Sequence, residues 1–183
     1  MVGAAVALGY YKAFDGGSGY EGGYFNEARK SFAESYVTSL WMVRSALEDM
    51  QDILELSPAI MATLSEFDAL FPNLRGVRNS GSHMNERTQG IGRNNKPIKP
   101  QMQVLKDKGL SVVVPGNIPY VTLGNSQFGH AAEDGTIHFI SILPSDFLKL
   151  VDIFQRLIDA TPWKGMEQIV PEPPRNPFPH MSR

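Results

Sequence analysis

The sequence predicts a mainly α-helical fold, a bundle built on a long antiparallel helix pair with a small β-hairpin or meander inserted at about residues 111–142. Three observations carry that expectation. Apolar residues recur at steps of three and four from residue 25 to 54 and from 60 to 71, and helical spacing returns from 147 to 158, the period of helices with one buried face. Between 111 and 142 this gives way to short β-branched runs broken by Gly-Asn and Asp-Gly pairs, which are hairpin signals. The composition, 42% apolar and 20% charged, is that of a globular chain, and 183 residues can enclose one hydrophobic core. We expect a single domain over residues 1–163 and a proline-rich tail over 164–183.

Residues 2–14 are apolar and read as a short first helix. The glycine-rich stretch Asp15 to Gly23 follows and reads as a loop. Within it, Gly17-Ser18-Gly19-Tyr20-Glu21-Gly22 formally matches a dinucleotide-binding pattern. That pattern works only where a strand feeds the glycine turn, and nothing upstream reads as a strand, so no nucleotide cofactor is expected. From Tyr24 to Leu56 the seam Phe25, Ala28, Phe32, Tyr36, Leu40, Val43, Leu47, Met50 and Leu54 predicts one long helix, with Trp41 beside it as core or interface. Ser57-Pro58 supplies an N-cap and a proline suited to the first helical position. The helix it starts buries Ile60, Leu64, Phe67 and Phe71.

Pro72 closes or bends that helix, and helical character resumes from Asn73 to about Arg87. Gln89 to Gln101, rich in glycine, asparagine, lysine and proline, reads as an exposed basic loop. Strands are expected at Ser111–Val114, Tyr120–Leu123 and Thr136–Ile142. His130 and His138 flank the Asp134-Gly135 turn and are placed to pair across a hairpin. No third ligand stands at fitting spacing, so no metal site is read there. A last helix, Ser145 to Ala160, buries Phe147, Leu150, Val151, Phe154, Leu157 and Ile158.

The chain has no cysteine, which excludes disulfide scaffolds, thiolate metal sites and cysteine nucleophiles. Its apolar first residues lack the basic lead of a secretory signal. No run reaches the roughly 20 apolar residues a spanning helix needs; a cytoplasmic, non-membrane protein is expected. Net charge is only -2, but its distribution is uneven. Pro72 to Lys108 carries eight basic residues against two acidic ones, leaving that segment at +6 and the remainder at -8. A segment so charged attracts a phosphate backbone and is equally consistent with a solvated basic loop.

On a helical wheel with about 100° per residue, Arg75, Arg78, Asn79, Ser82, His83 and Glu86 share an arc of roughly 140°. Leu74, Val77, Gly81 and Met84 fall opposite. The helix therefore has an apolar side for a core and a polar side that needs an occupant, because buried polar groups without partners are costly. Gly76 and Gly81 each weaken a helix interior by about 1 kcal/mol relative to alanine, a cost a protein tolerates where a close neighbour requires a small residue.

Arg78-Asn79-Ser80-Gly81-Ser82-His83, followed by Asn85-Glu86-Arg87, resembles the R-N-x-x-x-H signature of HEPN domains, helical proteins that often act as metal-independent endoribonucleases. The order of elements over residues 24–160 looks like HEPN-related bacterial proteins and implies a HEPN-like helical bundle. The resemblance implies a homodimer in which the motif helices of two protomers face each other over a composite site, with Arg78, Asn79 and His83 as its catalytic residues. Arg75, Ser82, Glu86, Arg87, Arg93 and Lys96 are expected to bind substrate, from the wheel and the charge pattern. RNA is the expected ligand, an antitoxin or a nucleotidyltransferase is a further partner of the kind the resemblance implies, and neither cofactor nor metal is expected. The chemistry is coherent: histidine exchanges protons near neutral pH, and the forked, permanently charged arginine suits a phosphorane-like transition state. The alternative stays open that the same face serves a non-catalytic dimer binding RNA, nucleotide or a partner protein, or only a structural interface.

Overall fold

The computed structural model describes residues 2–13, 22–52, 57–83, 85–86, 89–92, 95–99, 102–107, 110–115, 120–123, 126–133 and 135–161. Among these the architecture is mainly helical with small antiparallel sheets. The helices are α1 (Val2–Ala13), α2 (Gly22–Asp49), α3 (Ser57–Leu70), α4 (Leu74–Ser82) and α5 (Pro144–Asp159). The strands are β1 (Met102–Asp107), β2 (Leu110–Pro115), β3 (Tyr120–Leu123), β4 (Gln127–Ala131) and β5 (Ile137–Ser141). The chain divides into two compact units, one made of Met1–Leu70 with Pro144–Arg183 and the other of Phe71–Leu143. The tail expected over 164–183 lies outside the described residues.

In the first unit, α1 packs on α2. Its small buried residues Ala4, Ala5 and Ala7, with Leu8, meet a helix that buries Ala33, Tyr36, Val37 and Leu40. Gly3 lies against Ser39, so alanine and glycine let the two backbones approach closely. Leu47, Ile60 and Leu64 form a cluster onto which Phe154 and Leu157 of α5 pack. Arg44 of α2 reaches Asp68 of α3, so numbers fall along one helix as they rise along the other: the pair is antiparallel. Tyr36 meets Phe147 with ring centroids 6.3 Å apart.

The long helix is shorter than the seam predicts. It ends at Asp49, Met50 is exposed, and Leu54 lies outside the described residues, as does Phe25's side chain. The turn closes through Met50 N–H to Ala46 O and Gln51 N–H to Glu48 O. Ser57 begins α3 as the serine-proline pair predicts, and Ile60, Leu64, Phe67 and Phe71 are all buried.

In the second unit, β1 and β2 form an antiparallel pair, and β3, β4 and β5 form an antiparallel sheet in that order. Two strands, β1 and β4, lie where the sequence predicted none. The basic loop is itself a small hairpin. Gly92 N–H donates to Lys96 O and Ile98 N–H to Gly90 O, both at 2.7 Å. Asn95 takes the left-handed conformation at φ 58, which asparagine tolerates better than most residues. The turn from β4 to β5 rests on this loop. Gly135, at φ 80, faces the Lys99 carbonyl so closely that a Cβ would come within 2.1 Å of the oxygen, and only glycine fits there.

Candidate functional site

The motif helix is held by its inner face. Leu74 and Val77 are buried, as the wheel predicts, and so is Ser80, which the wheel left unassigned. The helix packs on β4 and β5. These strands pair Phe128 with Ile140 and His130 with His138, and directly paired residues of antiparallel strands project from the same face of the sheet. Phe128, Ile140 and His130 are buried, and the Phe128 and His130 rings meet in a T-shaped arrangement with centroids 4.9 Å apart.

The two glycines of α4 stand against these histidines. A Cβ on Gly76 would lie 2.5 Å from Nδ1 of His138, and one on Gly81 would lie 3.4 Å from Nε2 of His130. The cross-strand histidine pair read from the Asp134-Gly135 turn is therefore present, and it helps seat the helix that carries the motif. Among the described residues no group of three or more His, Cys, Asp or Glu side chains gathers in a way that could hold a metal ion. The sequence carried a signal for the seat that was read only in part: two glycines five apart in one helix, and two histidines on either side of one turn.

The outer face carries the motif. Arg78 and Asn79 are half-buried, while Arg75, Ser82, His83 and Glu86 are exposed. Arg78 Nη1 donates to Asn79 Oδ1 at 3.1 Å, and Ser82 Oγ donates back to the Arg78 carbonyl at 3.1 Å. The helical run predicted from Asn73 to about Arg87 is broken at His83. α4 stops at Ser82, and His83 is its C-cap, with its N–H bonded to the Ser80 carbonyl. Gly81 and Ser82 are weak helix formers, and the shorter span of that last bond tightens the final turn.

Beyond the cap, Asn85 and Glu86 are helical, and Glu86 lies beside His83. Nδ1 of His83 and Oε2 of Glu86 are 3.1 Å apart, with the side chains 54% and 53% exposed. The motif thus resolves into two paired sets, Arg78 with Asn79 and His83 with Glu86. Lys96 is exposed on the loop hairpin. Arg87 and Arg93 lie outside the described residues.

Compared with known proteins, the chain matches no family model, no curated protein and no solved structure. Among the described residues, no helix is long and apolar enough to cross a membrane.

Proposed function

We propose that this chain is a HEPN-like, metal-independent endoribonuclease that acts as a homodimer through α4. The observation that carries the reading is the division of that helix. Its inner side is buried, while its outer side presents Arg78, Asn79, Ser82 and His83, joined by Glu86 across the cap. A second α4 facing the first would bring two histidines and two arginines to one cleft, and α4 lies within the segment of charge +6.

The reaction then needs only what these residues supply. One His83 takes the proton of a ribose 2′-hydroxyl as its oxygen attacks phosphorus. The bond from phosphorus to the 5′-oxygen breaks, and the second His83 gives that oxygen a proton. Arg78, oriented by Asn79, offsets the charge that develops on the phosphoryl oxygens. The products are a 2′,3′-cyclic phosphate and a 5′-hydroxyl.

The test follows RNA cleavage in EDTA over a dilution series, with mass measured by light scattering at each step and product ends identified. Activity that falls as dimers dissociate, with cyclic phosphate ends, supports the reading. A monomer at all concentrations removes the composite site. The second reading, a non-catalytic dimer binding RNA, nucleotide or a protein through the same face, draws on the pairing of Arg78 with Asn79 and of His83 with Glu86. Such pairs suit a packed polar interface as well as a catalytic one, and RNA binding without cleavage would favour it.

A further inference from the structure

We infer that His130 is a pH-sensitive latch beneath α4: uncharged, it seats the motif end of the helix on the sheet, and protonation loosens that end. Its consequence for RNA cleavage rests on the ribonuclease reading above, while the latch itself does not.

Two contacts of different kinds hold α4 on the strands. At its start, Asn73 Nδ2 donates to the Phe139 carbonyl of β5 at 3.2 Å, a bond between groups that do not titrate near neutral pH. Toward its other end, Gly81 rests over the His130 ring, where a Cβ would lie 3.4 Å from Nε2. Gly81 stands three residues after Arg78 and two before His83, so a change at His130 acts on the motif end of the helix. His130 is 1% exposed, its Nε2 is closed off from solvent, and the Phe128 ring stands T-shaped against it.

A charged imidazolium in such surroundings loses its hydration, so burial disfavours the protonated form. The neighbouring elements supply no compensating anion among the groups that face the ring. Its partner in β5 is His138, a second base on the same face of the sheet. The inner side of α4 brings Leu74, Val77 and Ser80, none of which ionises, and the charged residues of that helix, Arg75 and Arg78, are both cations. The register partner in β3 is Tyr120, a residue type that does not ordinarily ionise between pH 5 and 8. Glu133, the carboxylate nearest in sequence, is exposed, where water screens it.

The sign of the effect follows. A histidine in an opened or unfolded chain takes its proton near pH 6.5, whereas the closed state resists it. Below about that pH the open state binds more protons than the closed one, and the equilibrium moves toward opening as pH falls. The seating is complete above this range and is lost progressively beneath it.

Hydrogen–deuterium exchange of the α4 amides, corrected for intrinsic rates, tests this in the full chain at about pH 7.5 and about pH 5.5 for the wild type, His130→Phe and His130→Gln. In the wild type the opening constant is expected to rise about tenfold between the two, the change that one proton taken up near pH 6.5 produces. In both variants the rise is expected to be less than about twofold. Each protein is compared with itself, so a variant of lower overall stability still reports the slope. A flat wild type, or a tenfold rise that persists in either variant, overturns the inference. A rise that depends on His130 in a protein that cleaves no RNA sustains the latch and removes the ribonuclease reading instead.

Discussion

Gly76 of the motif helix lies so close to His138 of the sheet beneath it that a Cβ there would come 2.5 Å from Nδ1, well inside van der Waals contact. The two glycines of α4 therefore make opposite predictions. Alanine in place of glycine favours a helix interior by about 1 kcal/mol, but overpacking a tight site costs about 1–3 kcal/mol. At Gly76 the clash wins. Gly76→Ala is expected to destabilise the protein by up to about 2 kcal/mol, and less in a His138→Ala background, because the clashing ring is gone. At Gly81 the nearest atom, Nε2 of His130, is 3.4 Å away, ordinary contact, so Gly81→Ala is expected to be neutral or stabilising by up to about 1 kcal/mol. Urea unfolding of the three variants and the double variant checks the signs. Equal effects of the two glycine variants would contradict the seat.

The ion pairs of the first unit rank by burial and geometry. Arg44 meets Asp68 through two parallel bonds, Nε to Oδ1 at 2.7 Å and Nη2 to Oδ2 at 2.8 Å, and it also reaches Glu48 at 2.6 Å. The forked arrangement is the stronger kind, and half-exposure of Asp68 moderates it. Asp68→Asn is expected to cost about 1 kcal/mol. Arg156 and Glu66 are paired more openly, with side chains 62% and 46% exposed, so Glu66→Gln is expected to change stability by less than about 0.5 kcal/mol. Denaturation midpoints decide between this ranking and its reverse.

Burial raises Tyr36 above its ordinary value of 10.0, and the charge of Asp146 adds to the effect. The folded state holds the phenol protonated where the unfolded chain releases it. Its contribution is whole below pH 10 and is lost as pH rises through the folded value. From pH 9 to pH 11 the wild type is expected to lose about 1.4 kcal/mol more than Tyr36→Phe, one unit's worth of titration. Parallel pH profiles for the two proteins would contradict this.

Much of the helical frame was legible because it rests on local signals. Ser57-Pro58 marks the start of α3, and the spacing of Ile60, Leu64 and Phe67 names its buried face. The boundaries that failed are those set by packing. No breaker stands between Asp49 and Ser57, so the period carried the long helix past its end. His83 caps α4 through a single bond to Ser80, a stop that propensity alone does not enforce. β4 was missed because Gln-Phe-Gly-His-Ala carries a glycine at its centre, normally a mark against a strand. The glycine is required there, since a Cβ on Gly129 would come 2.6 Å from the Phe139 ring. On the motif helix, the polar arc and the apolar stripe were readable from 100° per residue. The link from His83 to Glu86 crosses a helix end that the wheel does not contain.

The proposed chemistry turns on His83, and the most direct measurement is the single-turnover rate of RNA cleavage in EDTA by the wild type and by His83→Ala at concentrations where both are dimers. His83 is exposed at the end of α4, so its loss is expected to leave the protomer's fold intact. The wild type is expected to cleave RNA to cyclic phosphate ends, and the variant at a rate at least about 100-fold lower, the contribution of a general acid or base. A wild type that cleaves no RNA, or a variant that cleaves it equally fast, would contradict the proposed chemistry.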